Sequence, residues 1–173
     1  MFSARSDFGR SKNRLELARA AAVSAGKTIL DLTESNPTRA GLPCLEIALD
    51  ALADRRGLSY QPDPFGLLSA REAVCELMAG QGVTVSPERV VLTSSTSEAY
   101  AFLFKLLCDP HDQVLVPSPS YPLFEHLAQL EDVRATSYPL AYDGRWHLPA
   151  DALASARTKD SRAVVAVHPN NPT

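Results

Sequence analysis

Short apolar runs alternating with amphipathic stretches fill the second half of the chain and set its expected architecture. Val90-Val91-Leu92, Val114-Leu115-Val116 after Gln113, and Ala163-Val164-Val165-Ala166-Val167 are unbroken apolar runs of strand length, while Val133 to Tyr138 mixes polar and apolar positions. Unbroken runs suit strands covered on both faces. Between them, helical spacing predicts helices over about 96–107, 121–130 and 149–157. Repeated strand–helix–strand units predict an α/β fold: a doubly wound, mostly parallel sheet with helices on both faces.

The first half reads as helical. Leu15, Leu17, Ala18, Ala21 and Ala22 predict a helix over 11–25, ended by Gly26. A short strand is expected at Ile29–Leu32. The loop Thr33–Thr38 follows, where Pro37 biases Asn36 toward an extended backbone. Leu45, Ala48, Leu49 and Leu52 predict a helix over about 43–55. A loop carrying Tyr60, Pro62, Pro64 and Gly66 leads to another over about 67–79.

Composition narrows the function classes. With 173 residues, 45% of them hydrophobic, the chain can bury a core. Its net charge of −3 argues against nucleic acid as a partner, which would need a basic face. No apolar run is long enough to span a bilayer. The start lacks the basic-then-apolar layout of a secretory signal. Arg5, Arg10, Arg14 and Arg19 are interrupted by Asp7 and Glu16, which favours an exposed arm over a transit peptide. Cys44, Cys75 and Cys108 are odd in number and lack metal-ligand spacing. Each sits in a helical pattern beside apolar residues, so they read as buried, reduced thiols of a cytoplasmic protein, and no metal site is expected.

Chemistry concentrates where strands end. Thr93-Ser94-Ser95-Thr96-Ser97-Glu98 opens a helix, so unpaired N–H groups and hydroxyls converge as a phosphate site requires. A capping box of Ser95 with Glu98 explains the same residues without a ligand. Pro117-Ser118-Pro119-Ser120-Tyr121-Pro122 is a stiff loop that fixes an aromatic. Tyr121 either stacks on a planar ring or simply covers the next helix. In His168-Pro169-Asn170-Asn171-Pro172-Thr173, the Asn171 amide can donate to a phenolate or carboxylate, or the segment is a turn. There is no GxGxxG and no Walker lysine.

Taken together, TSSTSEAYAFLF, VPSPSYPLFEHLA and VHPNNPT resemble the amino-terminal portion of class I/II aminotransferases, which are fold-type I pyridoxal phosphate enzymes. DLTESNPTRAGLP and LSYQPDPFGLLSAREAV resemble the same family, in the same order. The resemblance implies residues 1–42 as an amino-terminal arm with part of the small domain, and 43–173 as an incomplete cofactor-binding large domain. It implies that Ser95, Thr96 and Ser97 hold the phosphate of pyridoxal 5'-phosphate, that Tyr121 stacks on the ring, and that Asn171 meets the phenolic oxygen and lines the substrate side. It also implies that Tyr60 reaches the phosphate of a neighbouring subunit, hence a homodimer, and that Ser35 and Asn36 line the substrate side. Ser95 departs from the family, which often has glycine there.

The family also needs a lysine that carries the cofactor. Lys12, Lys27, Lys105 and Lys159 stand in no such motif and read as surface charges, so no catalytic residue is assigned. An aspartate for the pyridine nitrogen and an arginine for the substrate carboxylate are likewise missing. The chain is therefore expected to be a truncated one, binding the cofactor weakly and inactive alone. The implied parent activity is amino-group transfer between an amino acid and a 2-oxo acid in the cytoplasm. A β-eliminating lyase or synthase on the same scaffold, or a non-catalytic remnant of the fold, are the alternatives. Arg39, in the turn after Asn36, either meets an acidic substrate group or is a solvated charge.

Overall fold

A computed structural model describes residues 2–9, 11–43 and 46–173. They fall into two units: residues up to Gly9 together with Leu92–Thr173, and the residues from there up to Val91. Cys44 and Leu45, expected in the second helix, lie outside the described residues, as does Arg10 of the arm.

Among the described residues the second unit holds three α-helices, α1 (Arg14–Ser24), α2 (Glu46–Leu52) and α3 (Leu68–Gly80), besides two short 3-10 turns. Asn13 caps α1 by accepting from the Glu16 amide at 2.8 Å, and Gly26 follows the helix at φ 69°, a left-handed position that suits glycine. No residue of α1 is buried. The strand expected at Ile29–Leu32 does not form, and Leu30 and Leu32 are more than four-fifths exposed. A strand needs a ladder partner, and among the described residues this segment has none. The buried polar centre of the unit is Arg71 on α3, bonded to Asp63 and to the carbonyls of Gly66 and Pro87.

The first unit carries the sheet. Its elements are α4 (Thr96–Leu107), β1 (Gln113–Ser118), α5 (Leu123–Leu130), β2 (Arg134–Pro139), β3 (Ala141–Tyr142), β4 (Trp146–His147), α6 (Ala150–Ala156) and β5 (Ser161–Val164). The order is β2-β1-β5, and both pairings are parallel. As the central strand, β1 is buried over Gln113–Pro117, as its unbroken apolar run requires. Val114 and Val116 pack with Phe104 of α4, Phe124 and Ala128 of α5, Val133 and Val165. Leu115, out of phase with them, faces the opposite side, where Leu153 and Ala154 of α6 lie. Helices thus cover both faces.

Three details differ from the sequence reading. Val90–Leu92 pairs with no strand among the described residues, although Val90 is extended. The last strand runs Ser161–Val164 rather than Ala163–Val167: it stops three residues short of its apolar run and begins two residues earlier, where Gln113 accepts from Ser161 Oγ and Thr158 Oγ1 and anchors the polar start. A hairpin, β3–β4, turns through Asp143-Gly144-Arg145 with Gly144 at φ 104°. At the amino ends of β1 and β2, His111 (φ 72°) and Asp132 (φ 60°) are left-handed, and the His111 amide donates to the Asp132 carbonyl at 2.7 Å.

Candidate functional site

Parallel pairing puts the carboxyl ends of β1 and β5 at one edge, so the loops that follow them are neighbours. Asn170 joins them directly. Its Nδ2 donates to the Pro119 carbonyl at 3.0 Å and to Thr173 Oγ1 at 2.8 Å, and its Oδ1 accepts from Ser120 Oγ at 3.1 Å. Asn171, the sequence candidate, is exposed and makes no hydrogen bond within the described residues. The loop-joining role falls to Asn170, which the sequence reading did not single out. Before these loops, the Tyr138 phenol on β2 donates to the Val165 carbonyl at 2.6 Å, tying the exit of β5 to the far strand.

At the head of α4 the Ser95 half of the expected capping box forms, while the Glu98 side chain reaches one residue further back, to Ser94. Ser95 is extended (φ −161°, ψ 162°), and its Oγ accepts from the Glu98 amide at 3.1 Å. Glu98 Oε2 in turn accepts from the Ser94 amide at 2.7 Å and from Ser94 Oγ at 2.8 Å. Those bonds hold the Glu98 carboxyl below its usual range. The cap does not use up the helix end. The amides of Thr96 and Ser97, the first two of a twelve-residue helix, find no acceptor among the described residues. Ser97 is half-buried and Thr96 exposed. Two free amides and nearby hydroxyls at a positive helix end fit a phosphate.

Tyr121 stands just before α5 and is 50% exposed. It meets the buried Phe124 edge-on at 6.4 Å, and Phe124 meets Tyr100 of α4 edge-on at 5.0 Å. This aromatic row links the Tyr121 loop to the first turns of α4. At this sheet edge a small hollow of about 140 Å³ is bounded by Ser118, Ser120, Tyr121 and Phe124. A larger one of about 670 Å³ lies between the β3–β4 hairpin and Ala166–Asn170. Neither of these two is lined by Ser95–Ser97 or by Asn171.

The remaining candidates lie in the other unit. Tyr60 is 91% exposed. Ser35 is exposed, and the Asn36 side-chain oxygen is taken up by Thr38 Oγ1 at 2.6 Å and the Thr38 amide at 3.0 Å, which leaves its NH2 free of that turn. Arg39 pairs loosely with Glu34 at 3.7 Å on the surface. Lys105 ends α4 in a 2.6 Å contact with Glu131, and Lys12 pairs with Glu16 at 3.6 Å. Cys75 and Cys108 are free thiols but only half-buried, not buried as their apolar neighbours suggested, and the partial burial pushes the Cys108 thiol up. Among the described residues no cluster has metal-ligand geometry, and no helix is long and apolar enough to cross a membrane.

The fold recurs in known proteins. The glutamate-pyruvate aminotransferase AlaA of Haemophilus influenzae is 30% identical over 150 residues, covering 86% of this chain and 37% of the relative. The S-alkyl-thiohydroximate lyase SUR1 of Arabidopsis thaliana is 26% identical over 152 residues, covering 84% of this chain and 33% of that protein. Among solved structures, an alanine aminotransferase from Pyrococcus furiosus superposes with a TM-score of 0.76 at 28% identity, covering 91% of this chain and 41% of that one. The chain thus spans about a third of the length of these curated relatives. The model of the family aminotransferase class I and II matches residues 27–173, and the chain belongs to that family.

Proposed function

We propose that this chain supplies the phosphate-, ring- and phenolate-facing wall of a pyridoxal 5'-phosphate site in an aminotransferase acting on an amino acid and a 2-oxo acid. The observation that carries the reading is the pair of free amides, Thr96 and Ser97, at the head of α4 in a chain of this family. Ser95, Thr96 and Ser97 hold the phosphate, Tyr121 lies against the ring, and Asn171 donates to the ring's phenolic oxygen and faces the substrate. Ser35 and Asn36 line the substrate side. Tyr60, almost wholly exposed, serves a second copy of the chain, so the working form is a homodimer. The free thiols suit a cytoplasmic location. Once bound, the cofactor supplies an electron sink for the substrate's Cα.

Titration with pyridoxine 5'-phosphate against pyridoxine tests the site without any need for covalent attachment. The phosphorylated form should bind at least about tenfold better, and Ser97→Ala should erase most of that preference, since a hydrogen bond to a charged group contributes roughly 1.5–3 kcal/mol. Equal binding of the two would refute the reading. With pyridoxal phosphate, an amino acid and a 2-oxo acid, the 173-residue chain should show no turnover. Lys105 and Lys12 are engaged with Glu131 and Glu16, and neither Lys27 nor Lys159 lies in the loops after β1 and β5. A second reading, a β-eliminating lyase, is favoured by the likeness to SUR1. An assembly containing this chain that released ammonia and a 2-oxo acid without an oxo acceptor would support that reading over amino-group transfer.

A further inference from the structure

Arg71 has no role in the reading above, yet it is the buried charge of its unit at 7% exposure. Its guanidinium has three separate partners. Nη2 donates to Asp63 Oδ2 at 2.9 Å, Nε to the Gly66 carbonyl at 2.9 Å, and Nη1 to the Pro87 carbonyl at 2.8 Å. Asp63 is itself held twice more, its Oδ1 accepting from the Phe65 amide at 2.9 Å and its carbonyl from the Gly66 amide at 3.0 Å. The turn Asp63–Gly66 is thereby closed on itself and fastened to α3. It lies three residues beyond Tyr60. The third bond grips the first residue of the 3-10 turn Pro87–Arg89, which ends six residues in sequence before the Ser95 cap.

We infer that Arg71 is a positioning residue: one guanidinium fixes both the segment that presents Tyr60 and the segment that leads into the Ser95–Ser97 phosphate loop. The inference rests on the cofactor reading above for the roles of Tyr60 and Ser95–Ser97. A planar fork with donors in three directions is what joins a carboxylate and two carbonyls from separate segments; a lysine ammonium reaches one of them at a time.

Two measurements on the 173-residue chain test this. In hydrogen exchange, Arg71→Gln should speed exchange of residues 60–66 and 87–91 together, by about tenfold or more, while the amides of β1 stay protected. Arg71→Lys should restore only one of the two segments. Should Arg71→Gln fail to fold, Asp63→Asn, which keeps both carbonyl bonds, should loosen 60–66 and leave 87–91 as they were. Unchanged exchange in both segments, or loosening of the Pro87 segment by Asp63→Asn, would overturn the inference. In titration, Tyr60→Phe and Arg71→Gln should each reduce the preference for pyridoxine 5'-phosphate over pyridoxine, with the double variant no worse than Arg71→Gln alone. Additive losses would overturn it. If the unsubstituted chain shows no such preference, the cofactor reading fails, and the exchange result alone decides the clamp.

Discussion

The phenol of Tyr138, 1% exposed, donates past the central strand to the carbonyl of Val165, whose own amide continues the ladder to Leu115 at 2.8 Å. Tyr138→Phe leaves that carbonyl buried without its partner and should cost about 1–3 kcal/mol, read as a lower urea midpoint at unchanged m. Burial raises the Tyr138 pKa above its ordinary value. The neutral form is the folded one, so this contribution is complete below the unfolded pKa, near 10, and is lost as pH rises through the folded value. Asp112 works in the opposite direction. Hydrogen bonds from Arg162 Nε (2.8 Å) and from the Asp109 amide (2.9 Å) hold its carboxyl below the usual range. Its contribution is present above the unfolded pKa, about 4, and disappears as pH falls through the folded one. Asp112→Asn should therefore lower stability at about pH 7, with the gap to the unsubstituted chain closing as pH falls below the ordinary carboxylate range. A gap that stays constant with pH would refute this account.

At the level of elements, α4 is the segment where sequence and structure agree most fully. Its start at Thr96 and its Ser95–Glu98 cap follow from side chains within one turn, and local hydrogen bonds decide them. Ser95→Ala should destabilise by about 1 kcal/mol, measured by chemical denaturation, and no loss would mean the cap is idle. β1 was equally legible, since its apolar run is buried on both faces. What failed depended on partners that sequence does not specify. Ile29–Leu32 and Val90–Leu92 have strand composition but no ladder among the described residues. The β3–β4 hairpin uses two-residue strands, too short to show a period. In the site, Asn170 and Asn171 are adjacent and chemically identical. Nothing local indicates that Asn170 is the one closing onto Pro119 and Ser120.

Across the whole chain, burial is unevenly shared. The core of Phe104, Val114, Val116, Phe124, Ala128, Val133 and Val165 belongs to one unit, while in the other Arg71 is the one fully buried residue among those described. Leu49, Leu52, Leu58 and Tyr60 are each at least 69% exposed. Native-state hydrogen exchange should find strong protection in β1 and α5 and little in α1 and α2, apart from what the Arg71 bonds confer near α3. Uniform protection along the chain would contradict this picture. The left-handed pair His111 and Asp132 sits at the amino ends of β1 and β2, across the sheet from the loops that carry the chemistry. Non-glycine residues in that conformation give up about 1 kcal/mol each. Glycine at either place would bank that energy at the quiet rim of the scaffold, so a sturdier version can be engineered without disturbing the ligand-facing side.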